Sequence, residues 1–239
     1  MNYYQRYIRQ LKQGDAISPR GMSVRARYNQ VFEFMPGTCW RREMDNPAIG
    51  FIEGMQFIAG IEDLKSIETV APHVDLSLFG PTSFYGIRTV DQFDRVLEEL
   101  ASDKASRRGL VAVAHHDDVS ETMPCTLSMV FFIRQDELHC TVNMRSSDAV
   151  WGLPYDMIQF GMVQTAMATV LQLGVGKCTV NIVNAHIYDD HQGSSKWTEC
   201  EFDMPLFQTW GEYKEWARRV IFMRLTRREI LEYFHVREK

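Results

Sequence analysis

Apolar and polar positions change rhythm several times along this chain, and each change predicts an element. Residues 1 to 13 set Tyr4, Ile8 and Leu11 on one side of a short helix. After the turn at Pro19-Arg20-Gly21, the run through Val31, Phe32 and Phe34 predicts a strand ended by Pro36-Gly37. "NPAIGFIEGMQFIAGIEDL" opens on an Asn-Pro boundary and carries Ile49, Ile52, Met55, Phe57, Ile58 and Ile61, mostly at helical spacing. Gly50, Gly54 and Gly60 interrupt that helix or mark close packing. Glu53 stands inside it, and a carboxylate in an apolar helix needs a reason.

"APHVDLSLFGPTSFYGIR" reads as a loop with a Gly-Pro turn. From Thr89, read as a cap, Val90, Phe93, Val96 and Leu97 predict an amphipathic helix whose basic exit is followed by glycine. "LVAVAHH", "CTLSMVFFIR" and "ELHCTVNMR" read as strands, the last two joined by a hairpin at Gln135-Asp136. A long apolar helix over Met157 to Leu173, the strand "KCTVNIVNAHIY" and a mixed helical, basic C-terminal stretch complete the chain. No repeat, low-complexity linker or domain boundary is visible. The pattern predicts one α+β domain over residues 1–239.

Composition narrows the function classes. With 45% hydrophobic residues, 14 Phe and 5 Trp, the chain can bury a substantial core. A net charge of -5 argues against broad nonspecific nucleic-acid binding. The polar start holds no secretory signal, and Gln159, Gln164 and Gln172 interrupt the longest apolar segment, so no membrane span is expected. Five cysteines, at 39, 125, 140, 178 and 200, form no CxxC pair. An odd count without such a pair fits neither a disulfide framework nor structural zinc, and points to a reducing, cytoplasmic setting.

Taken alone, Cys125 reads as a small buried hydrophobe. Nucleophilic work needs the thiolate, which nearby cations and partial exposure favour. Arg20, the pair Arg107-Arg108, and Arg145 are the candidates for that field, each equally readable as a solvated surface charge. The arginine pair with Arg145-Ser146 is more suggestive, because forked guanidiniums and a hydroxyl suit a phosphate.

The segments "MPCTLSMVFFI…LHCTVNMRSSDAVWGLPYD" and "NAHIYDDH" together resemble the thymidylate synthase family. That family's pattern runs Pro-Cys, Arg-Ser-x-Asp, Gly-Leu-Pro-Phe-Asn and His-x-Tyr. Upstream, "DKASRRG" is similar to its Arg-Arg phosphate motif, "FIEGMQFIAG" to its Glu-bearing helix and "GPTSFYG" to its Gly-Pro…Tyr-Gly segment. The pieces run in the family's order from about residue 18 to 191, and "NMRS", with Met144, resembles the family's phage cytidylate hydroxymethylases.

The resemblance implies a mixed twisted sheet packed on helices, used in a homodimer interface, and a role for each residue. Cys125 would add to C6 of a pyrimidine nucleotide. Arg20, Arg107, Arg108, Arg145 and Ser146 would hold its phosphate and lower the Cys125 pKa, with Arg107 and Arg108 contributed by the partner subunit. Glu53 would organise water and relay protons, and Tyr85 would assist proton removal. His186 and Tyr188 would bind the sugar hydroxyl. Asp148 would face the pterin of 5,10-methylenetetrahydrofolate.

Asp156 is the departure. Uracil-specific members have Asn there, whose amide donates to O4 and accepts from N3–H. Cytosine reverses both, and a carboxyl group accepts from its N4 amine and shares a proton with N3. Matched against mismatched bonds in a dry pocket are worth on the order of several kcal/mol. Asp156 is also a good residue to cap the helix that follows. The expectation is therefore a cytidylate 5-hydroxymethylase, deoxycytidylate favoured and cytidylate admitted. The loop before Gly80-Pro81 lacks tryptophan, the C-terminus is charged, and Thr126 follows Cys125 where the synthases have His. All three favour admitting water over transferring hydride. A methyl-transferring synthase and a non-catalytic nucleotide-binding homologue are the alternatives.

Overall fold

The computed structural model describes residues 2–80, 82–119, 121–191 and 196–239. Pro81, half of the expected Gly-Pro turn, lies outside them. Nine strands and eight α-helices are found among the described residues. In chain order they are α1 (Tyr3–Lys12), β1 (Asp15–Ile17), β2 (Val24–Phe34), β3 (Thr38–Arg41), α2 (Ala48–Ala59), α3 (Leu64–Val70), α4 (Tyr85–Arg88), α5 (Gln92–Ser102) and β4 (Leu110–Ala112). There follow β5 (Thr126–Arg134), β6 (Glu137–Asp148), α6 (Leu153–Val170), β7 (Gly174–Tyr188), β8 (Thr198–Glu201), α7 (Trp210–Phe222), α8 (Arg227–Tyr233) and β9 (Arg237–Glu238).

Six strands form one mixed sheet, β1-β2-β7-β6-β5-β4, in which only β6 and β7 run parallel. The hairpin from β5 to β6 turns at Gln135-Asp136, as expected, with both residues at positive φ. Alternation sorts the sheet's side chains into rows. Val111, Met129, Val142, Val180 and Phe32 stand side by side on the face covered by helices, all buried. The neighbouring row, Ala112, Ser128, Asn143, Asn181 and Val31, faces the other way. There Asn181 donates to Asn143, which donates to Ser128, both at 3.1 Å.

Helices α2 and α6 are apolar nearly all round because both are sandwiched. They cross closely: a Cβ on Gly54 would stand 2.5 Å from the Met162 sulfur, so the small residue permits the approach. Inside α6, the buried Gln164 amide donates to the Leu138 and Gly176 carbonyls, bolting helix to sheet.

Three sequence expectations change. The helix expected from Thr89 begins at Gln92. Thr89 instead ends α4, its hydroxyl donating to the Tyr85 carbonyl, and Val90 is exposed. Asp156 is not a cap, because α6 starts a turn earlier with Pro154 in its first turn. A second sheet of three short strands, β3-β8-β9, also stands beside the first.

Candidate active site

The parallel pair β6–β7 collects the site. Both strands end at the same edge of the sheet, and β6 brings Arg145, Ser146 and Asp148 there while β7 brings His186 and Tyr188. Antiparallel neighbours begin at that edge. Cys125 therefore precedes β5 beside Arg145, and Arg20 precedes β2 beside Tyr188. The carboxyl ends of parallel strands are the usual location for a ligand crevice in sheets of this kind.

Cys125 is half-buried. Its carbonyl accepts from the Arg145 amide at 2.9 Å. The Arg145 guanidinium donates to the Pro124 and Met123 carbonyls at 3.0 and 2.9 Å, clamping the loop that presents the thiol. Arg145 and Arg20 both pull the thiol pKa down, as expected, but burial outweighs them and Asp156 adds to it, so the thiol sits above its ordinary value. Arg20 is exposed, at positive φ in a tight turn.

Behind the thiol stands an acidic group of side chains. Asp156 is 7% exposed, and its carboxyl makes no hydrogen bond among the described residues. Burial alone pushes it up to about 7. Glu53 enters from α2, accepts from the Gln159 amide at 3.1 Å, and is pushed well up by burial and by Asp156. Tyr85, at the start of α4, is buried, and burial with the fields of Asp156, Cys125 and Glu53 raises its phenol far above the ordinary value. Thr126 is fully buried beside it.

Ser146 and His186 lie 3.3 Å apart, and the His186 and Tyr188 rings meet edge to face at 5.3 Å. Asp148 accepts from the amides of Val150 and Trp151, fixing the turn into α6. Burial raises its pKa against those bonds. At the mouth, the half-exposed Trp151 stacks on His191 at 5.2 Å.

Arg107 and Arg108 are not brought to this cluster. Both are exposed, Arg108 lies 4.0 Å from Glu99, and the adjoining Gly109 pairs with Phe131. Arg108 therefore lies about seven residues along β5 from Cys125, or ~23 Å at the usual strand rise. Gln159 is the site residue that sequence reasoning missed. Its signal was a polar residue in an apolar helix one turn after Asp156, on the same side.

A profile of the family described as thymidylate synthase matches residues 39–199. Among curated relatives, the thymidylate synthase of Bacillus phage phi3T is 31% identical over 104 residues, 43% of this chain and 37% of that protein. That of Bacillus licheniformis is 32% identical over the same shares. Thymidylate synthase 1 of Bacillus spizizenii is 30% identical, again over 37% of its length. The matched stretch thus spans little more than a third of these relatives. Among the described residues, no helix is long and apolar enough to cross a membrane.

Proposed function

This chain belongs to the thymidylate synthase family, with that family's α+β fold, and from that premise we propose that it hydroxymethylates C5 of a cytidine monophosphate. Deoxycytidylate is the favoured substrate and 5,10-methylenetetrahydrofolate the one-carbon donor. The observation that carries the choice of base is Asp156, a buried carboxyl with no protein partner among the described residues, titrating near 7. A protonated carboxyl donates to cytosine N3 while its other oxygen accepts from the N4 amine. Uracil offers N3–H and O4 instead, and against a carboxyl whose proton is held on the N3-facing oxygen both contacts are mismatched.

The grouping of residues at the sheet edge supports the following chemistry. Arg20, Arg145 and Ser146 hold the nucleotide phosphate, and His186 and Tyr188 take the sugar hydroxyl. Cys125 attacks C6 as the thiolate, which makes C5 nucleophilic. The donor supplies a one-carbon unit that bonds to C5, and the stacked Trp151 and His191 rings beside Asp148 fit its flat ring system. Tyr85 and Glu53 relay the C5 proton to the departing donor nitrogen as its bond to the one-carbon unit breaks, which leaves an exocyclic methylene on C5 and returns Glu53 as a carboxylate. Water then adds to the exocyclic methylene, giving its proton to the Glu53 carboxylate. The electron pair returns to the ring, reforms C5=C6 and expels Cys125.

The test is tritium release from C5-labelled dCMP, CMP and dUMP side by side, with mass analysis of the product. Hydroxymethylcytidylate without dihydrofolate is the expected result. Turnover of dUMP equal to or better than dCMP would overturn the reading of Asp156, and dihydrofolate release would make the chain a methyl-transferring synthase. Absence of tritium release from every substrate would leave a nucleotide-binding homologue. Asp156→Asn is expected to move preference toward dUMP by at least tenfold, the ratio that one mismatched bond of about 1.4 kcal/mol sets.

A further inference from the structure

Glu53 and Gln159 stand on different helices, and the packing of those helices brings them together. On α2, Gly50 and Gly54 lie on either side of Glu53 in sequence, and both face α6. A Cβ on Gly50 would meet the Ile158 side chain at 3.0 Å and the Tyr155 Cα at 3.2 Å. One on Gly54 would stand 3.3 Å from the Gln159 Cα. Larger residues at those two places would hold α6 further off. The close approach lets the Gln159 side chain span the gap, and its Nε2 donates to Glu53 Oε2 at 3.1 Å. Gln159 is 3% exposed, so the bond is shielded from water. Glu53 Oε1 makes no hydrogen bond among the described residues.

The surroundings of Glu53 otherwise work against its charged form. Burial favours the protonated carboxyl, and the nearby Asp156 favours it further. The other ionisable groups in its field are the phenols of Tyr85 and Tyr155, and no cation offsets the two carboxyls. Gln159 supplies the one donor. An N–H bond favours a carboxylate oxygen over a protonated one, so it opposes the burial. It also selects between the two oxygens. A proton on Oε2 would weaken the bond from Gln159, so an added proton goes to Oε1.

We propose that Gln159 is a positioning residue that holds Glu53 by Oε2 and leaves Oε1 as the oxygen that exchanges protons, a role that rests on the one-carbon reaction proposed above. In that reaction Glu53 first passes a proton on and then takes one from the adding water. One defined oxygen serves both acts, and it must be able to exist without its proton.

The test reads Glu53 directly, by NMR of the full-length protein with its glutamate carboxyl carbons isotopically labelled. The signal is assigned by its loss in Glu53→Gln. Gln159→Met keeps the length of the side chain and removes the donor. The Glu53 midpoint is expected to rise by about one pH unit or more, the worth of one hydrogen bond to a charged group. An unchanged midpoint would overturn the proposal. A fall would overturn it too, because Gln159 would then be accepting a proton from Glu53 rather than donating one.

In tritium release from C5-labelled dCMP, Gln159→Met should lose about tenfold in kcat at neutral pH with KM within about twofold. The acid limb of kcat should move to higher pH with the NMR midpoint, which a loss of packing alone would not cause. A loss confined to KM would overturn the proposal. Gln159→Leu carries the same expectations should the methionine variant fail to fold. If the wild type releases no tritium while the midpoint still rises in the variant, the one-carbon reading fails and the hold of Gln159 on Glu53 stands.

Discussion

Asp156 carries a cost that shows in stability as well as recognition. Its carboxyl titrates near 7 in the folded chain against 3.8 for an ordinary aspartate. Between those values the folded protein binds the proton that the unfolded chain has lost, so stability falls as pH rises through that window. The contribution is fully present below 3.8 and is lost as pH climbs through about 7. Urea midpoints of the wild type should therefore fall relative to Asp156→Asn between pH 4 and pH 7 (the order-of-magnitude window of a buried carboxyl). A constant difference across that range would mean that the carboxyl is solvated. Glu53 titrates in the same sense and is pushed up by burial and in part by Asp156, so the comparison reads Asp156 together with its effect on Glu53.

At the scale of elements, the acidic group depends on how closely α4 and α2 approach. A Cβ on Gly86 would lie 2.4 Å from the Gln56 carbonyl oxygen and 2.8 Å from the Phe57 Cα, both backbone atoms of α2 that cannot swing aside. Gly86→Ala should cost about 1–3 kcal/mol in urea or thermal unfolding. It should also lower turnover more than nucleotide affinity, since Tyr85 is the next residue and moves with α4. Much of this frame was readable from residues. The apolar α2 and α6, the β5–β6 hairpin and the Glu53 anomaly all announce themselves by periodicity or by a single misplaced charge. The small sheet did not, because strands of four residues and fewer carry too little alternation to stand out. The start of α6 was misplaced because Leu153-Pro154 looks like an end to a loop, whereas proline is at home in a helix's first turn. The Gln159–Glu53 bond joins residues 106 apart in sequence, which no local pattern encodes.

At the scale of the whole molecule, the phosphate-binding role that the family resemblance implies for Arg107 and Arg108 would need a homodimer, since both lie at the far end of the sheet from Cys125. The outward face offers a surface for it: Leu110, Val31 and Val183 are more than half exposed there, around the Ser128–Asn143–Asn181 ladder. Cys125→Ser and the double variant Arg107→Ala/Arg108→Ala should each be inactive. Mixed after mild denaturation, they should recover about a quarter of wild-type turnover. Half the dimers are then mixed, and each mixed dimer holds one complete site. No recovery would place the arginines' role within their own chain. The ~23 Å between Arg108 and Cys125 has a further consequence for how such a protein responds to its own abundance. A catalytic centre assembled from two chains reports on association: specific activity falls on dilution through the dimer's dissociation constant, and nucleotide that bridges the two halves holds them together. Substrate then acts as its own enzyme's glue, and activity measured at nanomolar protein should recover when the nucleotide alone is raised.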